Sequence, residues 1–305
     1  MYLFNPEHDI CLANNDPHFV PPAAALAYAQ KEPEMVRLMQ GLEPESEHDP
    51  LAVVPWGWNK VLRTRLLKAG YPARVLPSDQ ELDAIRALSH RQVAAQALEA
   101  VQAEFPSQPW PSVPVAATSL AQIRQQVEGS EGEADAHWVL KAPWSGSGRG
   151  LRWAGGAPLT DSDVGWCKHV LEKQGAVMIE PRLTVVQDAA MLFRCTDRVS
   201  FVGYSLFYTQ NGAYQKNRVD ADEVLEAALA AFVPLPLLWE VRRCLMDFLQ
   251  QRFVGRYRGY LGIDQFVYQA NGGTLYHPAV EINVRMTMGL LAHQQYVLHQ
   301  KAAYM

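Results

Sequence analysis

Residues 260–285 read YLGIDQFVYQANGGTLYHPAVEINVR. Two strand-like runs, 260–268 and 274–285, flank the turn signal Ala270-Asn271-Gly272-Gly273. With Gly272 and Gly273 as the central pair of a hairpin, Asp264 faces Glu281. Side chains alternate along a strand, so Glu281, Asn283 and Arg285 share one face while Ile282 and Val284 point into a core. Two carboxylates directly opposite each other repel, so either the face is fully wet or a cation sits between them. The first strand carries Leu261, Ile263, Phe266 and Val267, which makes the hairpin too apolar to be wholly exposed. A half-buried face with two carboxylates, an amide and a guanidinium is costly unless something pairs with it. Oxygen ligands beside a phosphate are the usual magnesium arrangement, which makes Asp264, Glu281 and Asn283 the candidate metal ligands. Arg285 can then meet a phosphate or carboxylate through two parallel hydrogen bonds. The competing reading is a structural salt bridge from Arg285 to Glu281 or Asp264.

Upstream, residues 138–151 read WVLKAPWSGSGRGL. An apolar strand delivers Lys141 into a loop with Gly146, Gly148 and Gly150. Glycines let the backbone approach a ligand, and successive exposed N–H groups make an anion-binding concavity. Ser145 and Ser147 add hydroxyl donors, and Lys141 and Arg149 add positive charge, all of which suits a polyphosphate. No G-K-[ST] follows the glycines, so this is not a Walker loop. Leu151 stands where the last glycine of a dinucleotide fingerprint would be. The bland alternative is a hairpin tip that uses its glycines for turning.

The remaining sequence supplies a frame for these segments. Strand 2–4, a polar loop over 5–18, strand 51–54, a helix over 60–69 with Gly70 as its C-cap, and strand 73–76 imply a small parallel α/β unit. Ser89 and Gln92 form a capping box that opens a helix to about Phe105, and Ser119 and Gln122 open another. The proline-rich stretch 106–114 reads as a connector, and residues 128–135 as an exposed acidic loop. Strands are expected at 137–142, 176–180, 190–195 and 199–208, and helices at 221–231, 236–253 and 286–299. The overall expectation is α/β plus α+β. A small N-terminal parallel domain (1–88) precedes a module of two lobes with antiparallel sheets, 89–178 and 179–305.

Composition narrows the class. Of 305 residues, 49% are hydrophobic and 19% charged, ordinary for a globular protein. The net charge of −5 and the absence of Lys/Arg runs argue against nucleic acid as a partner. The N-terminus is not a signal peptide, and the apolar run 227–239 is broken by Pro234 and Pro236, so no membrane segment is expected. The four cysteines, Cys11, Cys167, Cys195 and Cys244, form no C-x-x-C pair and suit the reducing cytoplasm.

The lysine strand, the glycine loop, Glu180-Pro181, and the spacing from Asp264 to Glu281-x-Asn283-x-Arg285, in this order, resemble the ATP-grasp superfamily. The resemblance covers about 88–289, behind a small α/β domain like those that precede such modules. It implies ATP and Mg2+ as cofactors and a fold of two lobes. Lys141 would contact the α- and β-phosphates, and the loop of Ser145, Gly146, Ser147, Gly148, Arg149 and Gly150 would close over the phosphates. Glu180, Pro181 and Leu183 would form the hinge beside adenine, with Glu180 accepting from the base or its backbone pairing with it. Asp188 would meet the ribose hydroxyls, with Gln187 as the alternative. Arg91 would be a first phosphate-binding basic residue, Lys216 would reach the γ-phosphate, and Asp264, Glu281 and Asn283 would hold magnesium. Gly262 stands where D-alanine ligases carry an arginine, which argues against that activity.

Two loops follow strands of the first domain, where open α/β sheets collect ligands. Their residues Asn5, Glu7, His8, Asp9, Asn14, Asn15, Trp56, Trp58 and Asn59 are the substrate-side candidates, against the reading that they pack and cap. A metal held by His8, Asp9 and His18 is the weaker alternative. The expected activity is ligation. ATP activates a small-molecule or peptide carboxylate as an acyl phosphate, and an amine or other nucleophile attacks it. Arg285 and Lys216 would neutralise the transferring phosphoryl group. A kinase-like phosphotransferase and a nucleotide-binding protein without turnover are the other readings. The oligomeric state is open, and a homodimer is compatible with it.

Overall fold

The computed structural model describes residues 1–42, 51–129, 137–146, 150–155, 158–210, 213–270 and 272–303. The chain begins with β1 (Tyr2–Leu3), α1 (His8–Asn14), α2 (Ala23–Lys31), α3 (Pro33–Gln40), β2 (Val54–Pro55) and α4 (Lys60–Lys68). Helices α5 (Asp79–Leu88) and α6 (Arg91–Glu104) follow. Next come β3 (Val115–Ala117), α7 (Leu120–Glu128), β4 (Trp138–Lys141), β5 (Leu151–Ala154), α8 (Asp161–Gln174) and β6 (Val177–Pro181). The last part holds β7 (Thr184–Cys195), β8 (Val199–Gln210), β9 (Ala213–Asn217), α9 (Asp222–Ala230) and α10 (Leu235–Phe253). It closes with β10 (Gly259–Ala270), β11 (Gly273–Asn283) and α11 (Met288–Ala303).

Three sheets result. Strands β1 and β2 pair in parallel, with Tyr2 opposite Val54. A four-stranded antiparallel sheet has the order β3-β6-β4-β5, and a five-stranded antiparallel sheet the order β11-β10-β7-β8-β9. The expected α/β unit and the two antiparallel lobes are therefore present. The two antiparallel sheets are joined through Arg182 and Leu183, between β6 and β7.

Each sheet covers its own apolar face. The small sheet packs on α7 and α8 through Ile123, Val127, Leu140, Cys167, Val170 and Ile179. One face of the large sheet is closed by α5, α6, α9 and α10, where Leu82, Leu98, Phe193, Leu229, Leu245, Phe253, Ile263 and Ile282 form one cluster. Burial of such side chains stabilises by about 1.5–3 kcal/mol each and fixes which face of β10 and β11 remains for ligands. A third cluster joins the N-terminal segment to the C-terminal helix: Phe4, Leu38, Met39 and Trp56 meet Tyr260, Met286, Leu290 and Leu291. The two chain ends are thereby packed onto one side of the large sheet. No single described helix is long and apolar enough to cross a membrane.

Several local expectations need correction. Residues 73–75 form a 3-10 turn after Pro72, not a strand, and the buried Leu76 packs on Val53, Leu62 and Leu66. The parallel pairing of the first unit therefore involves β1 and β2 alone. The polar stretch 5–18 contains helix α1, closed by Asn15 in the left-handed region at φ 57°. Ser89 does not cap α6, because its Oγ donates to Ile85 O at 2.7 Å at the end of α5. His90 caps instead: its Nδ1 accepts from Gln92 N at 3.0 Å. Burial lowers the His90 pKa to about 4, which keeps that nitrogen free to accept. The Ser119 cap stands, accepting from Gln122 N. Most of the expected acidic loop, 130–135, lies outside the described residues.

Candidate active site

Strands β10 and β11 bring Asp264 opposite Glu281, across an irregularity in the ladder between Asp264 and Phe266. Ile282 and Val284 are buried in the large core, so Glu281, Asn283 and Arg285 face away from it. Asn283 Nδ2 donates to Asp264 Oδ2 at 2.9 Å. The residues fit a divalent cation. The two carboxylates converge, and a half-turn of the Asn283 amide would present its oxygen beside them. Burial, followed by the negative charge of Glu281, raises the Asp264 pKa to about 7. A cation stands in on the other carboxylate: Arg91 Nη1 lies 2.9 Å from Glu281 Oε2. Among the described residues no group of three or more His, Cys, Asp and Glu is arranged around a metal position, so the candidate set is two carboxylates and an amide.

Arg91 is only 7% exposed and ties three segments together. Its Nε donates to Ala142 O at 3.1 Å and its Nη2 to Ser145 Oγ at 3.1 Å, while its backbone N–H reaches Pro143 O. The first turn of α6 thus fixes the start of the glycine loop against the carboxylate hairpin. Trp144 supports this join, since its Nε1 donates to Arg86 O and the Arg86 guanidinium stacks 3.5 Å from its ring centroid. Lys141 is buried at the end of β4 and pairs with Glu180 on β6. Gly146 lies against Asp9 so closely that a Cβ there would collide with Asp9 Oδ2. Gly150 is equally close to Ser145. Ser147, Gly148 and Arg149, and with them the middle of the phosphate loop, lie outside the described residues.

Two clefts meet at the carboxylates. The first, of about 690 Å³, lies between the two antiparallel sheets. Arg91, Lys141, Leu151, Trp153, Arg182, Leu183, Gln187, Asp188, Phe207, Tyr208, Phe266, Asp264 and Glu281 line it. Trp153, Val185, Val186 and Tyr208 are large apolar side chains exposed along this cleft. Arg182 lies over the Trp153 ring. Leu183 sits at the sheet junction, and Asp188 Oδ2 accepts from Thr209 Oγ1 at 2.7 Å. Burial raises the Asp188 pKa. Gln187 is committed to the backbone, donating to the carbonyls of Asp188 and Phe207. Pro181 closes β6 opposite Trp138.

The second cleft, of about 300 Å³, opens toward the N-terminal segment. Asp9, Trp56, Gly146, Ser205, Asn217, Arg285 and Thr287 line it, together with the same Asp264 and Glu281. Arg285 grips Asp9 through Nε–Oδ1 at 2.9 Å and Nη2–Oδ2 at 2.8 Å, and Nη1 donates to Met286 O. The expected alternative of a bridge from Arg285 to Glu281 or Asp264 is therefore not the one formed. Burial disfavours the Asp9 anion, yet the Arg285 guanidinium holds its pKa below the usual value.

The substrate-side candidates separate into two groups. Asp9 and Trp56 line the second cleft. The rest build the local scaffold. Asn5 exchanges hydrogen bonds with the Gly57 backbone, and Asn59 caps α4 by accepting from Leu62 N at 2.9 Å. His8 Nδ1 lies 3.3 Å from Asn59 Nδ2, and burial lowers its pKa to about 4. Glu7 pairs with Arg65 at 2.8 Å, Trp58 packs on the core, Asn14 is exposed and Asn15 is the helix cap. Lys216 is exposed on β9 with its ammonium 5.5 Å from the Tyr208 ring centroid and lines neither cleft. Its neighbours Tyr214 and Asn217 line the second cleft instead, as do Phe4, Tyr28, Ser205, Thr287 and Met288, none of which sequence reasoning had marked. Strand alternation sets Asn217 on the other side from Lys216, but it does not account for Tyr214, which lies beyond an irregularity in the β8–β9 register. The position of Tyr28 on α2 had no local signal.

No protein-family model matches the chain, and no curated protein matches its sequence. Solved structures do resemble it. D-cycloserine synthetase DcsG matches at 15% identity and TM-score 0.50, over 86% of this chain and 87% of that one. The biotin carboxylase domain of Hydrogenobacter thermophilus 2-oxoglutarate carboxylase, in complex with MgADP and bicarbonate, matches at 12% identity and TM-score 0.50, over 92% and 58%. N5-carboxyaminoimidazole synthetase from Staphylococcus aureus, complexed with ADP, matches at 14% identity and TM-score 0.46. The match covers 94% of this chain but only 64% of that enzyme's length. At these identities the likeness is one of fold alone.

Proposed function

We propose that the protein is an ATP- and magnesium-dependent ligase that activates a carboxylate as an acyl phosphate for attack by an amine or another nucleophile. The observation that carries this reading is that Asp264 and Glu281 line both clefts. A nucleotide in the first cleft and a carboxylate in the second would therefore have their reacting ends at one point.

The residues divide the work. Leu183, Trp153 and the exposed apolar wall of the first cleft take the base, and Asp188 the ribose. Lys141, released from Glu180, and Arg91, released from Glu281, turn to the phosphates. Asp264, Glu281 and Asn283 would hold magnesium, which supplies charge neutralisation for the transferring phosphoryl group when bound. A substrate carboxylate oxygen then attacks the γ-phosphorus, the bond to the β–γ bridging oxygen breaks, and ADP leaves. The nucleophile next adds to the acyl carbon and loses its proton as inorganic phosphate departs. Arg285 orients the carboxylate for both steps. The four buried free thiols suit a reducing cytoplasm.

The test is ADP release in the presence of magnesium with a panel of carboxylates and amines, with product analysis. A ligase gives one phosphate and one ADP per amide or ester formed. A stable phosphorylated product with no condensation would replace this reading with phosphotransfer.

A further inference from the structure

The second cleft is divided in character. Asp9 and Arg285 stand beside the carboxylate hairpin, and the apolar lining is built from Phe4, Tyr28, Trp56, Phe207, Tyr214 and Met288, with the Arg285 guanidinium 5.7 Å from the Trp56 ring centroid. Phe4 sits edge-on to Trp56, with ring centroids 5.1 Å apart, and to Tyr28 at 6.0 Å. Tyr28 and Tyr214 are 45% and 37% exposed, which leaves apolar area for a ligand to cover. Arg285 is the only arginine or lysine among the described lining residues.

That guanidinium is already engaged on three nitrogens, two on Asp9 and one on Met286 O. Asp9 occupies the Nε/Nη2 edge of the guanidinium, so a ligand with a carboxylate alone could make a two-pronged contact on that edge only by leaving the Asp9 anion unpaired in a half-buried site, which is strongly unfavourable. A ligand with an ammonium next to its carboxylate satisfies both groups, and the exchange is neutral in charge. A ligand with a phosphate elsewhere on its body finds no second cation in the described wall.

We infer, building on the ligase reading above, that this cleft takes an α-amino acid with an aromatic or large aliphatic side chain. Its carboxylate lies on Arg285, its ammonium on Asp9, and its side chain against the Trp56 and tyrosine wall. The volume of about 300 Å³ is at the small end for ligand sites and suits one such molecule.

The experiment is calorimetric titration of the full chain, saturated with magnesium and a non-hydrolysable ATP analogue. The probes are L- and D-phenylalanine, L- and D-leucine, 3-phenylpropionate, phenethylamine and ribose 5-phosphate. At least one stereoisomer of phenylalanine or leucine should bind ten-fold or more tighter than 3-phenylpropionate and phenethylamine, and ribose 5-phosphate should not bind. Asp9→Asn should erase the preference over 3-phenylpropionate. Tyr214→Ala, at the exposed rim, should weaken phenylalanine several-fold without changing affinity for the ATP analogue. Equal or tighter binding of 3-phenylpropionate, tighter binding of ribose 5-phosphate, or no binding of any amino acid by a protein that binds the analogue would overturn the assignment. Failure to bind the ATP analogue would overturn the ligase reading on which it rests.

Discussion

Asp264 stands opposite Glu281 because β11 carries two more residues than β10 between that pair and the pair Phe266–His277. The extra residues form a bulge at Pro278, whose missing N–H makes it suited to an interrupted ladder. Gln265 holds the bulge, donating to Pro278 O at 3.0 Å and accepting from Tyr276 Oη at 2.7 Å. The bulge thus turns both carboxylates to one point, and their mutual repulsion has measurable consequences.

The first concerns pH. The Asp264 pKa is raised from its ordinary value to about 7, by burial first and by Glu281 second. An acid whose folded pKa lies above its unfolded one favours the folded state below the unfolded pKa and loses that contribution as pH rises through the folded value. The ligand-free protein should therefore lose thermal stability between about pH 4 and pH 7 relative to Asp264→Asn. Melting curves of the two proteins across that window check this, and parallel curves would contradict it. Magnesium competes with the same proton, so its affinity should increase as pH rises to 7 and beyond.

Arg91 is the internal cation on Glu281. Arg91→Ala should destabilise the ligand-free protein by about 3 kcal/mol, the lower end for breaking a buried ion pair, because Glu281 retains some exposure. Magnesium alone should restore part of that loss by supplying another cation to Glu281. Chemical denaturation with and without magnesium, in the absence of nucleotide, measures both, and an equal deficit in the two conditions would show that Arg91 serves packing alone.

Lys141 exchanges Glu180 for phosphate in this account. Lys141→Ala should weaken ATP by about 1.5–3 kcal/mol, ten- to a hundred-fold, as expected for a lost charged contact. Calorimetry on the folded variant decides, and unchanged affinity would remove Lys141 from the nucleotide site.

Gly146 meets Asp9 with no room for a side chain. Because Asp9 is clamped on Arg285, it cannot yield cheaply, so Gly146→Ala should push the loop or break the clamp. The expected result is a fall of about ten-fold in kcat/KM with the melting temperature lowered by only a few degrees. Wild-type kinetics would show that the contact has no part in turnover.

The sequence made the carboxylate face legible for a partly fortuitous reason. Ala270 pairs with Gly273, a register one residue earlier than a turn centred on Gly272-Gly273 implies. The bulge at Pro278 restores the register at Asp264 and Glu281. Alternation on β11 was robust because Ile282 and Val284 needed a core. The partners of the charged residues were not legible. Arg285 lies 276 positions from Asp9, and Arg91 reaches Glu281 from α6, a helix far earlier in the chain that packs on the large sheet, so only tertiary packing brings them together. Polar residues in the first segment were hard to sort for the same reason. Asn5, His8 and Asn59 satisfy buried backbone and one another, while Asp9, one residue on, enters the cleft. Helix α1 was invisible because Glu7 offers no side-chain cap and the helix has only 7 residues.

The central claim is that a magnesium nucleotide binds where the two clefts meet at Asp264 and Glu281. Its most direct test is titration of wild-type protein and Glu281→Gln with ATP, each with magnesium and with chelator. The account predicts that magnesium tightens ATP binding to the wild type ten-fold or more. In the variant this gain should be lost, while the magnesium-free affinity set by the base wall persists. ATP affinity that is the same in both proteins, with or without magnesium, would contradict it.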